Sequence, residues 1–245
     1  YYLAAAYRKN GQPAEAKKVY DAILGLKPEE KDAYFLRGSA ELELGDYESA
    51  KADFDQAISM DPKNYDRLIE IYEALADYGY REVGQEYLQN VLDTAKQLDA
   101  YDSGRIYYYL GDYQKAYLAL EEAKGKGGVD SYLYLGKAYA ATGDYNYASS
   151  VYSNYLSNQG PDAEIYNQLG LCELAKKDYQ KALEAFQAGK QIEGNSLMQT
   201  LCFNEIVAYE YLEDYQQAEV LMNAYLQNYP DDQAAIREQQ FLSTR

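Results

Sequence analysis

The sequence predicts an all-α protein, an α-solenoid built from antiparallel helix pairs. The tripeptide Gly-Asp-Tyr recurs at Gly45–Tyr47, Gly111–Tyr113 and Gly143–Tyr145, and an alanine follows each copy three residues after the tyrosine. Small residues recur at this same site in steps of 32 to 36 residues, at positions 16, 50, 84, 116, 148, 182 and 218. No proline falls in the middle of a predicted helix, where its missing N–H would interrupt the backbone hydrogen bonds. These observations predict seven copies of one helical unit.

Each unit is expected to contain two helices joined by a tight turn. Glycine in the turn has no side chain, so the second helix can fold back closely against the first. The alanine of the small site is followed in most units, four residues later, by Leu, Tyr or Phe, which gives the second helix an apolar stripe. Asp178 and Asp214 stand where a second helix begins, and we expect their carboxylates to cap it. Asp231 or Asp232 is expected to cap a short last helix.

The unit 31–64 resembles the tetratricopeptide repeat almost position by position. Tyr34 stands at the first aromatic site, Gly38 at the small site of the first helix (helix A), and Ala50 and Phe54 on the apolar face of the second helix (helix B). The resemblance implies a right-handed superhelix of about seven repeats, forming a single array over 1–245. The predicted repeats are 1–30, 31–64, 65–96, 97–128, 129–162, 163–196 and 199–232, followed by a capping helix over 233–245.

The third unit departs from this pattern at two sites. Tyr72 replaces the small residue of helix A, and Gly84 replaces the alanine of helix B. In this family the two sites pack against each other, so we expect the large and the small residue to have exchanged helices. A larger side chain at Gly84 would then overpack the contact.

The charge of the chain argues against ligands that need a basic surface. The 245 residues contain 23 Lys and Arg against 40 Asp and Glu, a net charge of -17, and no stretch is basic. Nucleic acids and anionic membrane surfaces both require clustered cations, so neither is expected as a partner. No run approaches the roughly 20 apolar residues that cross a bilayer, so no membrane insertion is expected within this chain.

The residue types also argue against catalysis, and we predict that the protein is not an enzyme and binds no cofactor or metal. The chain contains no histidine, the commonest acid–base group and metal ligand. Cys172 and Cys202 are too few for a structural zinc site and have no histidine to activate them, and free thiols are favoured over a disulfide. Gly125–Gly128 lacks the spacing of a phosphate-binding loop and is interpreted as a linker.

The family resemblance also implies where a ligand binds. In tetratricopeptide-repeat arrays the A helices line a concave groove, and a few outward positions of each helix A meet the ligand. In this chain these positions form an acidic zone, then an aromatic zone with two cations, then a mostly apolar zone. The acidic zone contains Asp32, Asp66, Glu73 and Asp77. The predicted groove residues of the other two zones are Tyr101, Arg105, Tyr108, Tyr109, Leu133, Tyr134, Lys137, Asn167, Leu171, Phe203, Val207 and Tyr211, with Leu174 on the same face.

The leading hypothesis is a non-catalytic scaffold that binds another protein or a peptide segment. An extended or helical segment of the partner is expected along 101–211, held by apolar contacts and anchored by Arg105 and Lys137. Rigid aromatic residues with Arg or Lys are typical of interaction hot spots. Chaperone adaptors of this family instead hold a C-terminal carboxylate with a cluster of Lys, Asn and Arg. The corresponding positions of the first three units show no basic cluster and include Tyr1, Ala5, Leu36 and Asp66, so that mode is not expected.

Other interpretations stay open. The acidic zone is also explained as a solvated face, and the aromatic residues as filling for a tightly wound superhelix. The protein could instead self-associate into a structural array, or form a regulatory segment of a larger protein whose catalytic domain lies outside these residues. The chain opens directly in a helical stretch, Tyr1–Tyr7, so we expect missing upstream sequence that could hold a targeting or anchoring signal. The compartment is therefore unassigned, between the cytoplasm and an anchored position outside the membrane, and the composition looks bacterial.

Overall fold

A computed structural model describes all residues from 1 to 245 and contains fifteen α-helices and no β-strand. The helices are α1 (Tyr2–Lys9), α2 (Pro13–Leu26), α3 (Lys31–Glu43), α4 (Tyr47–Met60), α5 (Tyr65–Asp77), α6 (Arg81–Thr94), α7 (Ala100–Leu110), α8 (Tyr113–Ala123), α9 (Gly128–Ala141), α10 (Tyr145–Asn158), α11 (Ala163–Ala175), α12 (Tyr179–Lys190), α13 (Met198–Tyr211), α14 (Tyr215–Asn228) and α15 (Gln233–Leu242). The first fourteen helices form seven pairs, and the fifteenth occupies the predicted capping segment. The predicted all-α solenoid of helix pairs is confirmed.

The chain divides into two compact units, Tyr1–Leu98 and Asp99–Arg245. Unit 1 contains the pairs from α1 to α6, and unit 2 contains α7 to α15. Within each unit, every helix packs against its neighbours in sequence, and successive A helices such as α7, α9 and α11 also touch one another. The single array over 1–245 stays a prediction.

The turn inside each pair explains the Gly-Asp-Tyr signature. Gly45, Gly111 and Gly143 have φ values of 78°, 81° and 83°, in the left-handed region that a side chain disfavours. Two pairs lack this glycine, and there Lys177 and Glu213 adopt φ values of 64° and 62°. The turn geometry is therefore kept where the glycine is lost, with a strained non-glycine residue in its place.

The aspartate of the same signature caps helix B. The side chain of Asp178 accepts a hydrogen bond from the backbone N–H of Lys181, and Asp214 accepts one from Gln217, as predicted. Asp46, Asp112 and Asp144 cap their B helices in the same way. Of the two candidates for the last helix, Asp232 forms the cap, accepting from two backbone N–H groups.

Close packing inside a pair depends on glycine facing a large ring. A β-carbon added at Gly136 would lie 2.3 Å from Cζ of Tyr152, and one added at Gly170 would lie 2.3 Å from Cε1 of Phe186. Both rings are fully buried. The helices of these pairs can therefore approach only because helix A has no side chain at that point.

The third pair makes the same contact with the helices exchanged. A β-carbon added at Gly84 on α6 would lie 2.9 Å from Cδ2 of Tyr72 on α5, and 3.2 Å from its Cα. Tyr72 is buried. The predicted large-to-small exchange is confirmed.

The structure also describes the two thiols and the apolar character of the helices. Cys172 is buried and Cys202 is half-buried, and both are free thiols. No helix combines the length and the apolar character that a bilayer crossing requires. The predicted groove residues lie on the A helices of unit 2.

Candidate functional site

All twelve predicted groove residues lie on the A helices of unit 2, which are α7, α9, α11 and α13. Their exposure divides them into three classes. The exposed residues are Leu171 and Tyr211, with 39% and 54% of their surface accessible. The half-buried residues are Tyr101, Tyr108, Tyr109, Tyr134, Lys137, Phe203 and Val207. The buried residues are Arg105, Leu133 and Asn167.

Three tyrosines form a cluster that joins α7 to α9. The ring of Tyr108 lies 5.4 Å from that of Tyr109 and 5.6 Å from that of Tyr134, both edge to face. The hydroxyls of Tyr109 and Tyr134 are hydrogen-bonded at 3.0 Å. Edge-to-face pairs add about 0.5–1.5 kcal/mol beyond the burial of their area, so the cluster is a rigid aromatic surface.

The two predicted cationic anchors are engaged inside the chain. Arg105 is only 7% exposed; its guanidinium lies 4.4 Å from the centre of the Tyr101 ring, and its Nη2 lies 2.5 Å from Oδ1 of Asp102. Nζ of Lys137 lies 3.5 Å from Oε1 of Glu164 on the next helix A. A carboxylate of a ligand would therefore compete with carboxylates that the protein already supplies.

A pair of amides joins α11 to α13. Nδ2 of Asn204 donates a hydrogen bond to Oδ1 of buried Asn167 at 2.8 Å. Leu133 on α9 is likewise buried, and it accepts a weak bond at 3.4 Å from the hydroxyl of Tyr152 through its carbonyl. These two residues hold neighbouring helices in place and offer little area to a ligand.

The apolar zone is the most accessible part of this face. Phe203, Val207 and Tyr211 follow one another at four-residue spacing along α13, so they share one side of the helix. The Phe203 ring packs edge to face on Tyr225 at 5.8 Å, and the Tyr211 ring stacks on Tyr179 at 4.9 Å. Each aromatic residue is thus held by a neighbour from another helix, while Tyr211 still exposes more than half of its surface.

Glu210 is a residue of this face that the sequence analysis missed. It stands at the repeat position of Tyr108 and Leu174, four residues after the small site of helix A. Burial, and then the neighbouring Glu238 carboxyl of α15, raise the pKa of Glu210 to about 7. Oε1 of Glu210 is buried without a hydrogen-bond partner. The spacing between repeats was the signal that could have identified it.

The acidic zone lies in unit 1, on α3 and α5. Asp32 forms an ion pair with Arg67 at 2.8 Å, and the Arg67 guanidinium lies 4.0 Å from the centre of the Phe35 ring. The other acidic residues of the zone, Asp66, Glu73 and Asp77, are exposed. Nowhere in the structure do three or more Cys, Asp or Glu residues gather in a group that could hold a metal ion.

The comparisons with known proteins agree on one fold. A family model described as "Tetratricopeptide repeat" matches residues 1–65 and 133–195. Among solved structures, a tetratricopeptide repeat protein from Parabacteroides merdae superposes with a TM-score of 0.57 at 16% identity, over 84% of this chain and 81% of that one. Yeast Tom70 superposes with a TM-score of 0.62 at 15% identity, over 89% of this chain and 48% of that one. At these identities the likeness concerns the fold alone.

One curated relative shares a short stretch of sequence. The FK506-binding protein-like protein of Mus musculus is 40% identical over 62 residues, which is 25% of this chain. The matched stretch spans only 18% of that relative. The similarity therefore covers about two repeats and carries no information about the remainder of the mouse protein.

Proposed function

This chain belongs to the tetratricopeptide-repeat family, and on that premise we propose that it is a non-catalytic scaffold that binds a segment of a partner protein. Repeats of this family generally serve protein–protein interaction. The proposed binding surface is the A-helix face of unit 2, defined as the outward side of α7, α9, α11 and α13.

The observation that carries this proposal is the accessible apolar strip at the end of that face. Leu171 and Tyr211 expose 39% and 54% of their surface, and Phe203 and Val207 lie beside Tyr211 on α13. We name these four residues the C-terminal strip. Aromatic residues held rigidly by their neighbours lose little conformational freedom on binding, and such residues dominate interaction energies.

Contacts between neighbouring A helices support a surface that is already in place before a ligand arrives. Tyr109 bonds to Tyr134 between α7 and α9, and Asn204 bonds to Asn167 between α11 and α13. A partner bound here would not have to organise the helices first, which favours affinity.

The chemistry of the chain supports a role without catalysis. No histidine is present in the sequence. Burial raises the pKa of the Cys172 thiol to about 12, so that it stays protonated at neutral pH and is a poor nucleophile. The exposed side chains of the strip are apolar, and they suit contact rather than proton transfer.

Affinity capture with matched variants tests the proposal. The double variant Leu171→Ala/Tyr211→Ala removes the exposed part of the C-terminal strip. The control Leu118→Ala/Val220→Ala removes two apolar residues that are 61% and 57% exposed on the B helices α8 and α14. Immobilised wild type, variant and control are compared for proteins captured from lysate and envelope fractions, with the affinity of each captured protein measured afterwards.

We expect a partner that the control retains and the strip variant loses, with affinity reduced at least ~10-fold, since hot-spot residues contribute more than about 1 kcal/mol each. Equal affinity of the strip variant and the control would contradict binding at this face. A wild type that instead forms concentration-dependent oligomers in light scattering, abolished by neither variant, would favour self-association at another surface.

A further inference from the structure

The C-terminal strip is flanked by a carboxyl group that has no internal counter-charge. Glu210 lies on α13 between Val207 and Tyr211 and shares the face that these residues form. Its Oε1 is buried and has no hydrogen-bond partner. A buried carboxylate oxygen without a donor is unfavourable, because it has lost water and gained nothing in exchange.

A second carboxyl group beside Glu210 disfavours a negative charge on it further. Glu238 of α15 lies beside Glu210, and two carboxyls can bond to each other only when one is protonated. Lys190 of α12 forms its ion pair with Glu205 of α13. The chain therefore places two acids together at the end of the strip without supplying a cation between them.

The cations of the same face, unlike these acids, have partners of opposite charge. Arg105 is buried against Asp102, and Lys137 pairs with Glu164. Arg105 and Lys137 thus each have a carboxylate partner, whereas neither acid of the Glu210–Glu238 pair has a cationic one. The charge that this face lacks is positive.

We propose, as a consequence of the proposed function, that the partner segment is basic and apolar. Its apolar residues cover the C-terminal strip, and a Lys or Arg of the segment reaches Glu210 and Glu238. Glu210 and Glu238 are half-buried, so such a cation would approach the accessible side of the two carboxyls and reduce the repulsion between them. Charge-assisted hydrogen bonds of this kind are stronger than neutral ones.

Two other occupants fit the face less well. A metal ion would need more ligands than the two carboxyls provide, and no group of three candidate ligands exists. A second copy of this chain would bring more negative charge, because residues 191–245 contain nine acidic and only two basic side chains. A basic segment of a different protein is the occupant that charge complementarity selects.

The test uses two fluorescein-labelled peptides of twelve residues with the same apolar positions, one with Lys and the other with Glu at every polar position. Their affinities for the full chain are measured by fluorescence polarisation at pH 7.5 and about 150 mM salt, where general attraction to an acidic protein is screened. The variant Glu210→Gln/Glu238→Gln removes the carboxyl pair. The control Glu193→Gln/Glu219→Gln removes the same charge at two exposed positions away from the strip.

We expect the Lys peptide to bind at least ~10-fold more tightly than the Glu peptide, and Glu210→Gln/Glu238→Gln to remove most of that preference while the control keeps it. Thermal unfolding of the variant should not fall below that of the wild type, since the substitution removes a repulsion. Equal loss in variant and control would contradict the inference, because it would show a general charge effect.

The outcomes also separate this inference from the proposed function. If the Glu peptide binds as tightly as the Lys peptide and Leu171→Ala/Tyr211→Ala abolishes both, the strip binds segments without preferring basic ones, and the inference is wrong while the proposed function holds. If the Lys peptide binds and Leu171→Ala/Tyr211→Ala changes nothing, the proposed surface itself is wrong. No binding of either peptide to the wild type would count against both.

Discussion

Units 1 and 2 fill one equivalent pair of repeat positions with different contacts, an ion pair in unit 1 and an aromatic stack in unit 2. In unit 1, Lys17 of α2 forms an ion pair with buried Glu41 of α3, with Nζ and Oε1 3.4 Å apart. In unit 2 the same two positions, counted from the small sites of their helices, hold Tyr117 of α8 and Tyr139 of α9. Their rings stack at 4.6 Å with an interplanar angle of 12°.

The ion pair of unit 1 belongs to a larger charged network. Arg37 donates to both oxygens of Asp53, at 2.6 and 2.8 Å, and to Asp21 at 2.8 Å. Burial, and then the neighbouring Asp53 carboxylate, raise the pKa of Glu41 to about 7. Unit 1 therefore contains a contact whose charge changes near neutral pH.

The aromatic column of unit 2 does not share this sensitivity. Tyr147 stacks on Tyr139 at 5.4 Å, which extends the column to three rings. Burial, and then the Glu121 carboxylate, raise the pKa of Tyr139 to about 12, so its hydroxyl keeps its proton throughout the physiological range. The small sites and the caps therefore define the repeat, while the contact between successive helix pairs can be ionic or aromatic.

The largest loss of stability is expected from a larger side chain at Gly84, because the backbones of α5 and α6 approach closely there. Gly84→Leu places a side chain against Tyr72, whose Cα lies 3.2 Å from the added β-carbon, and should lower the free energy of unfolding by about 1–3 kcal/mol. The control Gly25→Ala lies in a helix with nothing within 4 Å, so it should stabilise by roughly 0.5–1 kcal/mol. Chemical denaturation followed by circular dichroism measures both. Equal stability of Gly84→Leu and wild type would contradict the packing of this pair.

The next largest effect is a pH dependence in the stability of α3, in unit 1. The folded pKa of Glu41 is near 7 and its ordinary value is 4.5, so the folded state binds the extra proton between these values. The resulting stability is fully present below about pH 4.5 and is lost as the pH rises through 7. Hydrogen–deuterium exchange of α3 amides should therefore accelerate between pH 5 and 8, beyond the intrinsic rate, by on the order of tenfold.

Glu41→Gln should remove this acceleration, because the amide does not ionise, and Glu86→Gln at an exposed position of α6 serves as the control. The α9 amides around Tyr139 should show no such dependence in the wild type. The same pH slope in α3 for wild type, Glu41→Gln and Glu86→Gln would sink the assignment to Glu41.

The smallest effect is expected for the aromatic column. Tyr117→Leu keeps an apolar side chain but removes the stack on Tyr139, so it should lower the free energy of unfolding by about 0.5–1.5 kcal/mol with no change in pH dependence. Tyr2→Leu, which alters an almost fully exposed tyrosine, is the matched control and should be neutral. A loss for Tyr117→Leu no larger than for Tyr2→Leu would show that the stack contributes nothing to stability.

The features that could be predicted from sequence are those that repeat. The repeat period, the aspartate caps and the exchange of Tyr72 with Gly84 can all be found from the spacing of residues within a repeat and between repeats. The structure confirms each of them. The replacement of the turn glycine by Lys177 and Glu213 in the left-handed conformation could not be read from residue type, since their propensities oppose it.

The candidate site was less predictable, because repeat position tells which face a residue joins but not how far its neighbours cover it. Arg105 was expected to anchor a ligand, yet Tyr101 and Asp102 enclose it. Glu210 is absent from the predicted groove residues, although its repeat position is that of Tyr108. The partners of Arg105 come from its own helix α7, and their contact depends on side-chain conformation. The neighbour of Glu210 is Glu238 of α15, a helix outside the repeat.

Site-specific photo-crosslinking tests the central claim, binding of a partner segment at the A-helix face of unit 2, most directly. Benzoylphenylalanine is introduced in place of Tyr211 on helix A α13 or, as the matched position, in place of Val220 on helix B α14; these two residues are 54% and 57% exposed. A partner identified by affinity capture should be crosslinked from position 211 and not from position 220. Crosslinking from position 220 with none from position 211 would contradict this claim.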